Sequence, residues 1–243
     1  MRRALSLALI LTAALALTAC GKEKHDEVFG ERVHAYLMAH PEVLMEMSQK
    51  LQDKANKDAA AEQDKALAQG KKALAKPEVR AALEHDGRDF VANPNGKITV
   101  SEFYDYRCPH CVNMAPTVLS MVRENPDVRF VFKEMPIFGD TSDRAALAAI
   151  AIRKKGGDYV GAYRTFMSTR NLDEATVEKA LSANGIDPGG IDNAEAQRQI
   201  TDIKRLAVQL GVAGTPTFII GDTIIPGEGE AALRAAIAKA RGQ

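Results

Sequence analysis

Cysteine is scarce in this chain, with three in 243 residues, which excludes a small fold stapled by many disulfides. Net charge is absent too. The 32 lysines and arginines balance the 32 aspartates and glutamates, and a chain without a concentrated basic face is no nucleic-acid binder. Long apolar runs are missing after the first twenty residues. The uncharged stretch Ala4–Leu17, preceded by Arg2 and Arg3, is too short for a comfortable membrane span and reads as a secretory signal over residues 1–19. No internal repeat is present. The length remaining is ample for one sizeable domain and a smaller unit.

What is present begins with the end of that signal. Leu17-Thr18-Ala19-Cys20 resembles the bacterial lipobox, in which Cys20 becomes the first mature residue and carries lipid. Ordinary cleavage, leaving an unpaired Cys20, is the alternative. With Cys20 lipidated, the chain is anchored to a membrane on the periplasmic side. The one remaining pair, Cys108 and Cys111, is then free to cycle.

That pair stands in the most informative segment, Phe103-Tyr104-Asp105-Tyr106-Arg107-Cys108-Pro109-His110-Cys111. A β-type run, 97–104, precedes it and a helical pattern follows. A thiol at a helix N-terminus meets unpaired backbone N–H groups and the positive end of the helix dipole, and both favour the reactive thiolate. Cys108 is expected to be that nucleophile, more exposed than Cys111. Cys111, one turn on, closes a reducible ring and resolves mixed disulfides. His110 is expected to stabilise the thiolate when protonated, and Pro109 to fix the first helical turn. The expected chemistry is a redox-active dithiol needing no cofactor and no metal.

The rest of the chain reads as follows. A polar tether, 20–27, leads to Val33, Leu37, Leu44, Met47 and Leu51 at helical spacing, with a second helix starting near Pro41. From 52 to 76 alanine and charge dominate, which reads as a solvated helical stalk. Two such helices cannot bury their apolar faces alone, so residues 28–75 are expected to make a homo-oligomer. Strands are expected at 97–104 and 128–133. A helical section, about 141–210, follows them, then a hairpin of 217–220 and 223–225 around Gly221-Asp222, and a last helix near 230–240. Pro116 lies inside the helix after the cysteines. His34, Met38, His40, Met45 and Met47 could bind copper, although packing explains the methionines better. Zinc at Cys108 and Cys111 lacks further soft ligands.

Strand, CPHC, helix, helical insertion, then Gly214-Thr215-Pro216-Thr217-Phe218 before a hairpin resembles the DsbA-like thiol-disulfide oxidoreductases of the thioredoxin superfamily. Residues 29–51 resemble the N-terminal region of the suppressor-of-copper-sensitivity C (ScsC) branch. The resemblance implies an α/β thioredoxin fold with a helical insertion, preceded by an α-helical extension. The expected domains are a lipoprotein signal (1–19), a tether (20–27), a helical oligomerisation region and stalk (28–76) and the catalytic domain (77–243). It further implies a cis Pro216, with Thr215 facing the dithiol and both binding substrate. Glu102, six residues before Cys108, matches a buried acid that relays the proton of Cys111; a surface glutamate is the plainer reading, and Lys133 is its guessed ion-pair partner. Implied partners are cysteine-containing exported proteins and a membrane redox partner. The activity implied is isomerase or reductase for an oligomer and oxidase for a monomer. The alternative is a copper-binding or chaperone-like lipoprotein on the same scaffold.

Overall fold

The computed structural model describes residues 27–169, 171–191 and 194–242, so Cys20 and the signal segment lie outside the described residues. The chain divides into two compact units, meeting between Ala59 and Ala60.

In the first unit, helix α1 (Glu27–Ala39) turns at His40 into helix α2 (Glu42–Leu74). The turn is closed by the His40 N–H donating to the Tyr36 carbonyl at 2.8 Å, with Pro41 just ahead of α2. Many apolar residues of this unit stay in solvent: Phe29, Tyr36, Leu44, Met47 and Leu51 are all more than half exposed. Lys50–Glu46 and Lys54–Asp58 pairs at i,i+4 line the polar side and support a helix rich in alanine.

The second unit begins inside α2. Leu67, Gly70, Ala73 and Leu74 pack with Phe103, Leu210, Ile219 and Ile224, so the last turns of the expected stalk belong to the catalytic body rather than to solvent. A Cβ on Gly70 would lie 2.0 Å from the Leu210 carbonyl oxygen. Only glycine permits that approach. The three- and four-residue steps from Leu67 to Leu74 carry the signal for this contact, but surrounding alanine and lysine dilute it.

Helix α3 (Pro77–Glu84) leads to β1 (Phe90–Ala92), β2 (Ile98–Tyr104), helix α4 (Pro109–Glu124) and β3 (Val128–Glu134). Helices α5 (Asp140–Lys154), α6 (Tyr159–Ser168), α7 (Glu174–Ala183) and α8 (Ala194–Gln209) form the insertion. Strands β4 (Thr217–Ile220) and β5 (Thr223–Pro226) and helix α9 (Glu230–Ala240) close the unit. The sheet order is β1-β3-β2-β4-β5. Strand β2 runs parallel to β3 and antiparallel to β4, so it is central. The three-residue β1, unforeseen in the sequence, pairs antiparallel with β3 and is too short to show an alternating pattern.

Register decides which side chains share a face. Glu102 opposes Phe132, and Tyr104 opposes Glu134. These four side chains, with Val100 and Phe130, point to the face covered by α4, α5, α6 and α9. Phe103 and Lys133 oppose each other on the reverse face, with α3, α8 and the end of α2. Neighbouring strand positions alternate between faces. Glu102 and Lys133 are therefore on opposite sides of the sheet, and the expected ion pair does not form. Lys133 instead pairs with Asp89 and donates to the Ala82 carbonyl at 2.6 Å.

Candidate active site

Cys108 is the N-cap residue of α4, extended at φ −69° and ψ 119°, with Pro109 in the first helical turn. Its carbonyl accepts the first helical bond, from the Val112 N–H at 3.0 Å, so its side chain sits where the helix's free N–H groups converge. Both cysteines are free thiols, and neither is open to solvent: Cys108 is 2 % and Cys111 0 % exposed. The expected contrast in exposure thus shrinks almost to nothing, because the loop before β4 covers the helix end. That loop contains the cis Thr215–Pro216 peptide, and the Thr215 carbonyl oxygen lies 3.1 Å from the Cys108 sulfur.

The contrast lies in ionisation instead. The Cys111 thiol donating toward Cys108, helped by Thr215 and by the backbone N–H groups of Cys111 and His110, brings Cys108 down to about 5 from 9.0. Burial, then the neighbouring Cys108 sulfur, pushes Cys111 far up. At neutral pH one sulfur is a thiolate and the other a thiol.

His110 has a further partner. Its side chain is largely exposed, and Nδ1 lies 2.6 Å from Oε1 of Glu228. That carboxylate raises the imidazole and is itself lowered by it. His110 supports Cys108 through its backbone N–H, and its ring feels the charge of Cys108. Glu228 escaped the sequence reading because it comes 118 positions later, between two glycines, and only the closure of the sheet brings it over α4.

Asp105 was also missed. Buried at 1 % exposure, it accepts from the Arg107 N–H (2.6 Å) and the Ser142 hydroxyl (2.9 Å) on Oδ1, and from the Ile137 and Phe138 N–H groups (2.6 and 3.0 Å) on Oδ2. It ties the turn before Cys108 to the loop after β3. An aspartate between a strand and a helix N-terminus, two residues before a backbone N–H it can reach, is the local signal that was available.

Glu102 is buried at 2 % exposure, and neither of its carboxyl oxygens has a hydrogen-bond partner. Burial, then the charge of Glu134, raises it to about 8. The surface alternative is thus excluded. Tyr163 feels the charge of both Glu102 and Cys111. His34, Met38, His40, Met45 and Met47 lie on or beside the exposed faces of the first unit, where His40 pairs with Glu42 at 2.9 Å. Among the described residues no group of three or more His, Cys, Asp or Glu could hold a metal.

A five-stranded mixed sheet with a four-helix insertion, a dithiol capping a helix and a cis X-Pro peptide against it define a thioredoxin-type protein. A model of the DSBA-like thioredoxin domain matches residues 99–237, and the chain belongs to that family. A model of the copper resistance protein ScsC N-terminal domain matches residues 28–57. A thioredoxin-like oxidoreductase from Silicibacter pomeroyi is similar at 34 % identity and a TM-score of 0.63, over 68 % of this chain and 98 % of that one. The catalytic domain of Proteus mirabilis ScsC is similar at 26 % and 0.63, over 71 % and 99 %. The thiol:disulfide interchange protein DsbA of Pseudomonas syringae is 29 % identical over 140 residues, 54 % of this chain. The match spans 64 % of that relative's length.

Proposed function

We propose that this protein is a thiol-disulfide oxidoreductase that exchanges disulfides with cysteine-containing exported proteins through Cys108, Pro109, His110 and Cys111. The observation that carries this reading is the division of one helical turn into a thiolate near 5 and a thiol held far higher. In the oxidising direction, a substrate thiolate attacks the Cys108 sulfur of the disulfide, and Cys111 leaves and takes up a proton. The substrate's second thiolate then attacks the mixed disulfide, and Cys108 leaves as a stable anion. A sulfur that leaves this readily makes the disulfide a good oxidant. The extended backbone beside cis Pro216 lies next to Cys108 and suits an added strand of substrate peptide. Thr215 and Pro216 are the substrate-binding pair in this reading, and Pro109 shapes the turn.

Cys108→Ala is expected to abolish exchange with a protein substrate, while Cys111→Ala accumulates mixed disulfides visible on a non-reducing gel. Full activity in both variants would sink the reading.

The reading extends to assembly and location. Exposed Phe29, Leu44 and Leu51 and the ScsC-type N-terminal match support self-association through the first helices, which favours an isomerase or reductase over an oxidase. Leu67, Gly70 and Leu74 pack in the catalytic body, so removing residues through 75 would damage its core. The sharper test is Leu44→Glu with Leu51→Glu in the full chain, which is expected to give a monomer in sedimentation and to lose repair of a scrambled-disulfide substrate. Repair unchanged in a monomer would refute this part. A lipid-anchored, periplasm-facing protein kept reduced or oxidised by a membrane partner completes the reading. Its support is the lipobox-like Leu17–Cys20. Labelling by fatty acid that persists in Cys20→Ala would remove the anchor. Among the described residues no helix is long and apolar enough to cross a membrane.

A further inference from the structure

Behind the dithiol lies a second buried acid. Glu134, at the end of β3, is 3 % exposed and accepts from the Tyr106 hydroxyl at 3.1 Å and the Tyr159 hydroxyl at 2.8 Å. Tyr104 links these two donors, 3.1 Å from Tyr106 and 2.5 Å from Tyr159. Glu134 is one diagonal step from Glu102, because Tyr104 opposes Glu134 and Glu102 precedes Tyr104 by two on the same face. The charge of Glu134 reaches Glu102 at this spacing.

The two acids differ in what surrounds them. Hydroxyl donors favour the ionised form of Glu134, whereas Glu102 has no donor and Tyr163 as its polar neighbour. Two like charges at this spacing, buried, do not both form readily, so the pair titrates as a unit. The first proton leaves Glu134, and its charge then holds the second on Glu102.

We propose that Glu134 is a positioning residue for the resolving step, its charge keeping Glu102 a strong enough base to take the proton of Cys111. This rests on the proposed exchange chemistry and on Glu102 as the relay. In that step the Cys111 S–H bond breaks and the Glu102 carboxylate takes up the proton. The Cys111 sulfur bonds to Cys108 as the bond from Cys108 to the substrate sulfur breaks. The electron pair leaves on the substrate, which is reduced while Cys111 is oxidised. Both acids lie near 8, and a base that titrates close to working pH is the effective one. The groups that set these values are Glu102, Tyr104, Asp105 and Tyr106 from β2 and the turn after it, Glu134 from β3, and Tyr159 and Tyr163 from α6, with Cys111 of α4 acting on Tyr163.

Reduced full-length protein mixed with dithiobis(nitrobenzoate) releases one coloured thiolate when Cys108 reacts and a second when Cys111 resolves the mixed disulfide. The rate of the second release is followed against pH. In Glu134→Gln, whose amide oxygen still accepts from both tyrosines, the midpoint is expected about one pH unit lower, with a slower plateau. Tyr159→Phe weakens the Glu134 anion, and a smaller shift in the same direction is expected; it also serves if the Gln variant does not fold. Glu102→Gln is expected to lose the midpoint. A midpoint lost there but unmoved in the folded Glu134 and Tyr159 variants overturns the role of Glu134 alone. A midpoint that survives Glu102→Gln overturns the relay reading and the proposal with it.

Discussion

On the reverse face of β3, Lys133 is fully buried and meets Asp89 and the Ala82 carbonyl. One residue later, on the face toward the dithiol, Glu134 is equally buried but its charged neighbour is another acid. Two faces of one strand thus treat buried charge in opposite ways. The first pairs unlike charges. The second sets like charges against each other, so that one proton is held loosely near neutrality. A buried pair of the first kind maintains structure and one of the second kind can do chemistry.

Breaking the first face should have the largest effect. Lys133→Met strands Asp89, which burial already raises to about 6 against the pull of Lys133. A loss of about 3–5 kcal/mol is expected in urea unfolding at pH 8, and less at pH 5, where Asp89 takes up a proton. Exchange by the folded fraction should be unchanged. An equal loss at both pH values would show that packing, not the stranded charge, dominates.

The second face should show itself as a slope. A carboxyl whose folded value lies at about 8 instead of 4.5 binds its proton more tightly folded than unfolded. Stability is then full below pH 4.5 and declines as pH rises to 8, by up to about 1.4 kcal/mol per unit for one group. Glu102→Gln should flatten that decline in denaturation series run between pH 4 and 9. An unchanged slope would contradict the burial argument.

The comparison reaches the cysteines too. Because the Cys111 thiol is the largest support of the Cys108 thiolate, Cys111→Ala should raise the thiolate titration seen in ultraviolet absorbance. Cys111→Ser, which keeps a donor, should raise it less. Equal values in both variants would assign the support to the helix end alone. The smallest effect is expected from Glu228→Gln: a lower titration midpoint for His110 by NMR, with little change in stability, since both groups are exposed at the surface.

Much of the fold was legible because its signals are local. Strands β2 and β3 alternate or run apolar, Pro41 and Gly221-Asp222 punctuate the elements, and Cys108 and Cys111 fall one turn apart after a strand. Glu102 was found as an acid on a central strand, but its partner was misjudged, because which residues oppose each other depends on register between strands far apart in sequence. The same reason hid Glu228 from His110 and Leu210 from Gly70.

By itself the sequence determined that Cys108 would cap a helix with Cys111 one turn on, and that apolar residues of the first two helices would find no cover between themselves. Local spacing and backbone chemistry suffice for each. Tertiary structure alone decided where the protons sit. Burial, strand register and the tyrosine hydroxyls around Glu134 set the ionisation of Glu102, Glu134 and the two cysteines. These terms depend on distance in space and on exclusion of water, which no spacing along the chain encodes.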